Sequence, residues 1–272
     1  MNKSNYIHIG TFQSNDDALL EEVINASFEI GVFSFDTAPS YNTESILGKI
    51  LEKKRKQHGI DRSSLYISDK IDDVQMEESE GYIDEYVNQA LIKLRVDYLD
   101  TMFIHWPFEK YLYKTWEKLH ELKEKKKIKE IGLCNVRVRH LNRIIKETGI
   151  IPDVIQIERH PLRTCEEELS FCRNNSITVQ AYSPLCRMIP KIKNCTLLQK
   201  LSESYGKSIP QIILRWHVDS GVIPVFTTHN KDRIKDNCEI FDFKLSEQDI
   251  SDISGLNENY KIFIESYCCP GF

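Results

Sequence analysis

YLDTMFIHWPFEKYLYKTWEKLHELKEKKKIKEIGLC, residues 98–134, carries one full cycle of a pattern that runs through the whole chain. It opens with a β-rich run, YLDTMFIH (98–105), and closes with another, KEIGLC (129–134). Between them Trp116, Leu119, His120 and Leu122 share one face of a helical segment. A strand followed by a helix and a second strand reads as a crossover unit, whose two strands lie parallel.

The cycle repeats on both sides. Before it come YIHIGT (6–11), VFSFDT (32–37) and LYISDKI (65–71); after it come DVIQIE (153–158), ITVQAY (177–182) and VIPVF (222–226). Leu19, Leu20, Val23, Ile24 and Ser27 make an early helical face. Gln211–Val218 is a later helix, with Ser208 as its cap and Pro210 in its first turn. Eight strands alternating with helices, with no interior linker or low-complexity segment, predict an α/β fold with a parallel sheet. The expected domain organisation is a single domain over 1–272. Eight repeats in about 250 residues close naturally into a (β/α)8 TIM barrel. The rival is a doubly wound open sheet, which usually shows G-x-G-x-x-G after its first strand. Ile9-Gly10-Thr11-Phe12 does not continue that way.

Composition narrows the function classes. Apolar content of 41% and charged content of 28% are ordinary for a globular chain. Net charge is −5, from 36 basic and 41 acidic residues. The runs Lys53-Lys54-Arg55-Lys56 and Lys125-Lys126-Lys127 are read as solvated faces of helical segments, so neither nucleic acid nor a membrane is expected as a partner. The N-terminal MNKSNYIHIGTF lacks the apolar core of a signal peptide, and no apolar run approaches spanning length. Eight cysteines are scattered without Cys-x-x-Cys; Cys268-Cys269 is a vicinal pair of unassigned role. Reduced thiols in a cytoplasmic protein, with no metal site, are the expectation.

In a barrel of this kind the C-terminal strand ends build the active site. Here Asp36, followed by Tyr41, ends the second strand, Lys70 the third and His105 the fourth. Cys134-Asn135 ends the fifth, Gln156 lies in the sixth and Tyr182 ends the seventh. Each alone is what any barrel rim carries. Four ionisable groups around successive strand ends read as a site.

At these residues the chain resembles the aldo-keto reductases. FDTAPSY (35–41), followed by Glu44 and LGKIL, is similar to that family's signature around its catalytic tyrosine. LIKLRVDYLDTMFIHWP (91–107), KIKEIGLCN (127–135), QIERHP (156–161) and AYSPL (181–185) resemble the family's next segments. LRWHVDSGVIPV, RIKDN and FDFKLSEQDI resemble its C-terminal third. The likeness covers roughly residues 9–256, in order.

The resemblance implies a catalytic tetrad of Asp36, Tyr41, Lys70 and His105, and an NAD(P)(H)-dependent oxidoreductase acting on an aldehyde, a ketone or the matching alcohol. Hydride arriving at a carbonyl carbon puts charge on its oxygen, so a proton donor must sit beside it. Tyrosine, at a pKa of about 10, is a poor two-way donor near neutrality. A nearby Lys70 ammonium is expected to lower it, with Asp36 holding Lys70 and His105 orienting the substrate oxygen.

The same resemblance assigns the nicotinamide to Asn135, Gln156 and Tyr182, with Gly10, Thr11, Asp36, Ser183 and Leu185 along the cofactor. Thr228, Arg233 and Asn237 fall at its adenosine end. Phe12 and Trp106 become pocket walls. NADP(H) is favoured over NAD(H), because Arg233 keeps a guanidinium where a 2′-phosphate would lie. His229 and Lys231 are further sources of charge there.

Several positions depart from the family pattern. Asn42 replaces a common glycine, Cys134 a serine and Phe226-Thr227 the usual Pro-Lys. The N-terminal hairpin is expected to be shortened or missing. The segment after Pro107 and the tail after Leu256 are short, which predicts an open pocket and leaves the substrate unidentified. The expected assembly is a monomer or small homo-oligomer. Two other function classes compete: a nicotinamide-binding regulatory barrel without significant turnover, as in the potassium-channel β subunits of this family, and a barrel aldolase using Lys70 as a Schiff base.

Overall fold

A computed structural model of the chain describes residues 3–14 and 16–263. Its eight strands are β1 (His8–Gly10), β2 (Ser34–Asp36), β3 (Tyr66–Ile71), β4 (Leu99–Ile104), β5 (Ile128–Cys134), β6 (Val154–Glu158), β7 (Thr178–Tyr182) and β8 (Ile223–Phe226). They pair in that order, all parallel, and β8 returns to β1, closing the barrel. Seven of the eight runs read as strands contain one of them, and β5 starts one residue before its run, at Ile128. The other runs extend past their strands by one or two residues at an end.

Helices fill the crossovers. α1 (Asp17–Glu29) and α2 (Glu44–His58) follow β1 and β2, and α3 (Asp73–Glu78) and α4 (Asp84–Leu94) follow β3. α5 (Glu109–Glu124), α6 (Val138–Thr148) and α7 (Glu166–Asn174) follow β4, β5 and β6. α8 (Pro190–Lys193), α9 (Thr196–Tyr205) and α10 (Ile209–Asp219) separate β7 from β8, and α11 (Lys231–Cys238) and α12 (Glu247–Ser254) complete the ring. The face expected on α1 is buried at Leu20, Val23, Ile24 and Ser27, but Leu19 is exposed and Phe28 takes its place. Ser208 caps α10, and Gln211 closes a capping box with it. Lys53–Lys56 lies in α2 as expected, whereas Lys125–Lys127 forms the turn after α5, with Lys126 at φ 60°.

The main apolar core lies between the sheet's outer face and the helices, from Ile7 and Leu47 through Trp116 to Ile240. A second cluster, including Leu198, Ile213 and Trp216, packs α9, α10 and α12. The barrel interior is more polar than the branched-apolar filling usual for this architecture. Tyr66 Oη lies 2.5 Å from Thr101 Oγ1, which donates to Glu130 Oε2 at 2.9 Å. Gln180 Nε2 donates to Tyr66 Oη (2.9 Å), and Gln156 Nε2 donates to Gln180 Oε1 (3.0 Å). These side chains form a ladder rising from the bottom of the barrel to Asp36.

Among the described residues no helix is long and apolar enough to cross a membrane, and no group of three or more His, Cys, Asp and Glu side chains could hold a metal. Cys134, Cys165, Cys172, Cys186, Cys195 and Cys238 are free thiols; Cys268 and Cys269 lie outside the described residues.

Candidate active site

Asp36 ends β2 with its carboxylate turned into the barrel, 3% exposed. Oδ1 accepts from Lys70 Nζ at 2.5 Å; Oδ2 accepts from Ser68 Oγ (2.8 Å) and Gln156 Nε2 (2.9 Å). Lys70 and Ser68 are two apart on β3, so the strand period points both inward. The Lys70 side chain is wholly buried, with a second acceptor in the Thr37 carbonyl at 2.8 Å. Burial alone would lower its pKa, but Asp36 and the neighbouring Tyr41 and Cys134 together hold it above the ordinary lysine value. An ammonium held between the Asp36 carboxylate and the Thr37 carbonyl is not poised as a Schiff-base nucleophile, which weighs against the aldolase reading.

Tyr41 sits on a 3-10 turn, Pro39–Tyr41, that Pro39 starts and Asn42 ends at φ 58°. That left-handed conformation explains the glycine common here, and asparagine is a side-chain-bearing residue that tolerates it. Lys70 Nζ lies 4.9 Å from the centre of the Tyr41 ring, and Tyr41 Oη is 3.5 Å from His105 Nε2. The direction of the Tyr41 shift corrects the expectation. Burial pushes the phenol above its ordinary pKa, and Lys70 opposes that rise without reversing it.

His105 follows β4, and its Nδ1 bonds Asp72 Oδ1. Asp72 was not foreseen. It caps α3 just beyond β3, and its Oδ2 accepts the backbone N–H of Ser40 at 3.0 Å. Burial would raise its pKa, but the bonds from His105 and Ser40 hold the carboxyl below the usual range. The available signal was its place: an acidic residue two positions after Lys70, at a strand's C-terminal end.

Asp36, Tyr41 and His105 border a cavity of about 540 Å³, also lined by Gly10, Asn135, Gln156, Tyr182, Ser183 and Leu185, while Lys70 and Asp72 lie behind them. Phe12 and Trp106 are walls as expected. The lining runs from His105 after β4 to Thr227, His229 and Arg233 after β8, on opposite sides of the barrel mouth. Gly10 packs close to its neighbour, since a Cβ there would meet Thr227 Oγ1 at 2.8 Å and displace that hydroxyl. Asn135 ends β5 in the left-handed region, φ 59°; its Nδ2 donates to the His105 carbonyl (2.9 Å) and its Oδ1 accepts from Tyr182 Oη (2.7 Å). Both Gln156 N–H groups are taken by Asp36 and Gln180, and Cys134 Sγ lies 4.0 Å from its Oε1.

Three expected cofactor contacts are placed elsewhere. Thr11 is fully buried, its hydroxyl donating to the Asp36 carbonyl (3.1 Å) and lying 2.7 Å from Thr43 Oγ1, so it braces the Tyr41 loop. Thr228 turns its hydroxyl to the backbone of Asn230, the cap of α11. Asn237 shares the buried face of α11 with Ile234 and Cys238. None of the three lines the cavity, whereas Thr227, His229 and exposed Arg233 do. Lys231 is turned away to Glu22, 3.5 Å distant.

The segment after Leu256 also differs from expectation. Buried Glu158, at the end of β6, accepts the backbone N–H groups of Ile262 (2.7 Å) and Phe263 (3.0 Å). Phe263 is thereby held against Phe12, Tyr182 and Arg187 and lines the cavity, which is therefore walled rather than open on that side.

The chain is similar to known proteins over most of its length. Residues 6–258 match the profile of the Aldo/keto reductase family. The glyoxal reductase of Bacillus subtilis (strain 168) is 33% identical, over 93% of this chain and 89% of its own. The methylglyoxal reductase DkgA of Yersinia pestis is 34% identical, over 87% of this chain and 83% of its own. Among solved structures, a mutant of Gox0644 in complex with NADPH superposes with a TM-score of 0.82 at 27% identity, covering 93% of this chain and 89% of that one. A match over that much of the sequence assigns the chain to the Aldo/keto reductase family.

Proposed function

We propose that this chain reduces a small aldehyde or ketone with NADPH, Tyr41 supplying the proton. The observation that carries the reading is the surroundings of the Tyr41 hydroxyl. It lies at the edge of a large cavity, with a buried ammonium beneath its ring and an imidazole nitrogen 3.5 Å away.

The cavity suits a nicotinamide dinucleotide. It spans the barrel mouth from the Tyr41 side to Arg233, and Gly10 keeps its floor free of a side chain. Gln156 would hold a carboxamide through its oxygen, since both its N–H groups have partners, Asn135 through its second N–H, and Tyr182 would pack on the ring. The cofactor, when bound, supplies hydride to the carbonyl carbon. Asp36 keeps Lys70 protonated and fixed. Lys70 stabilises the tyrosinate left after Tyr41 Oη gives up its proton. His105, positioned by Asp72, orients the carbonyl oxygen.

NADPH is preferred over NADH because Arg233 lines the end of the cavity opposite His105, and arginine binds a phosphate through paired, charge-assisted bonds. The NADPH complex of Gox0644 supports this choice. The 1,2-dicarbonyls for which the relatives are named are the first substrates to try. The test is loss of NADPH absorbance against methylglyoxal, glyoxal and simple aldehydes. Turnover that disappears in Tyr41→Phe supports the proposal. Tight NADPH binding without turnover of any carbonyl overturns it and favours the regulatory barrel.

A further inference from the structure

A second, smaller cavity of about 30 Å³ adjoins the first, sharing Trp106, Asn135, Tyr182 and Phe263 with it. Its far wall carries five charged residues, Arg137, Glu158, Arg163, Glu168 and Lys261. Four of these five have partners. Glu158 is bonded to His160 (3.1 Å) and to the backbone of Ile262 and Phe263. Arg137 donates to Glu168 Oε1 at 3.4 Å.

Arg163 is different. It is 7% exposed, its Nε is buried with no hydrogen-bond partner, and its guanidinium makes no hydrogen bond or ion pair with any described side chain. Its backbone is fixed by reciprocal bonds with His160, Arg163 N to His160 O (2.8 Å) and His160 N to Arg163 O (3.0 Å), so the side chain is held at this wall. Arginine carries five N–H donors and stays charged in proteins. Glu158 and Glu168 share its wall but are bonded to other groups, and a buried guanidinium with unmet donors favours an added acceptor in the cavity it lines. The space holds about two water-sized positions, at roughly 10–15 Å³ each. That matches the two oxygens of a carboxylate, which a guanidinium binds in paired fashion.

We propose that Arg163 forms a carboxylate subsite beside the catalytic cavity, so that the favoured substrates are aldehydes or ketones carrying a carboxylate at their other end. The shared walls are what join the two ends: Trp106 and Asn135 flank His105 on one side and line the Arg163 cavity on the other. The substrate class rests on the carbonyl-reductase reading; the anion site itself does not.

The experiment pairs 4-oxobutanoate with butanal, which share a four-carbon chain and differ in the carboxylate. The wild-type protein should show a KM for 4-oxobutanoate at least about tenfold below that for butanal, the scale of one charge-assisted pair. Arg163→Met should erase that difference by raising the first KM and leaving the second, and Arg163→Lys should restore part of it. Equal KM values in the wild type, or equal losses on both substrates in Arg163→Met, overturn the subsite. Calorimetry with succinate gives a readout independent of turnover. Succinate binding that Arg163→Met abolishes upholds the subsite even if neither aldehyde is reduced, a result that would sink only the reductase reading. No succinate binding to the wild type, together with no preference for 4-oxobutanoate, overturns it whether or not the variant folds.

Discussion

Asp72 receives His105 Nδ1 on one carboxylate oxygen and the backbone N–H of Ser40, next to Tyr41, on the other. An ionised carboxylate only accepts, so Nδ1 carries the hydrogen in this bond and the ring is turned with Nε2 toward the cavity. That nitrogen is the one facing Tyr41 Oη. One residue thus sets both the orientation of the histidine and the position of the tyrosine. Asp72→Leu should lower kcat by at least about tenfold, within the range for disturbed proton-transfer groups. Asp72→Asn, which keeps an acceptor, should lose less, and NADPH affinity should stay unchanged in both. Wild-type kcat in Asp72→Leu would refute the positioning role.

Tyr41→Phe should reduce turnover by about 10²–10⁴ while leaving NADPH binding almost untouched. Fluorescence titration of the cofactor alongside steady-state rates checks this. A variant that still reduces carbonyls at the normal rate removes Tyr41 from the proton path.

Lys70 opposes the burial that raises the Tyr41 phenol. Alcohol oxidation needs tyrosinate, so its rate should climb with pH, and losing the ammonium should move that climb to higher pH. Lys70→Met alone leaves Asp36 as a buried, uncompensated charge, so the double variant Asp36→Asn/Lys70→Met is the companion test. A pH–rate profile of oxidation that does not move in either variant contradicts the coupling.

Arg233→Ala should raise KM for NADPH much more than KM for NADH, because only NADPH has a 2′-phosphate for the guanidinium to meet. Exposed Arg233 packs little, so folding should be unaffected. Equal effects on the two cofactors would show that it reads no phosphate.

Asp69 is fully buried beside Lys70. Burial, with Glu44 adding to it, holds its carboxyl well above the usual range, and Oδ2 has no partner. The folded state therefore keeps a proton that the unfolded chain releases above about pH 4. Stability from this site falls as pH rises from there toward the folded pKa. Asp69→Asn keeps the acceptor for Lys70 N and removes the ionisation. It should raise Tm near pH 7, by about 2–4 °C for each 1 kcal/mol gained, with the gain shrinking toward pH 4. A variant equally displaced from wild type at both pH values would show that Asp69 does not titrate between them.

The strands and the rim of the site were legible in sequence for a physical reason. The helix-facing side of each strand must be apolar, and helices packed on it must carry an apolar stripe, so the alternation is written residue by residue. Asp36, Lys70, His105 and Asn135 stand at strand ends, and a strand end maps directly onto the barrel mouth. Side-chain direction is not written that way. Thr11, Thr228 and Asn237 lie close in sequence to cavity residues, yet a turn or a helix face sends each toward the backbone or the core. The pair Asp72–His105 spans 33 residues, and the bond from Ile262 to Glu158 spans 104. The direction of the Tyr41 shift turned on the desolvating surroundings of a half-buried ring, which no spacing reveals. Sequence by itself determined the barrel and which strand ends carry chemistry, because local periodicity encodes both. Only the tertiary structure decided which of those groups touch, what holds His105 and Phe263, and that Arg163 has no hydrogen-bonded counter-charge among the described residues, because contact, burial and charge balance arise when distant segments pack together.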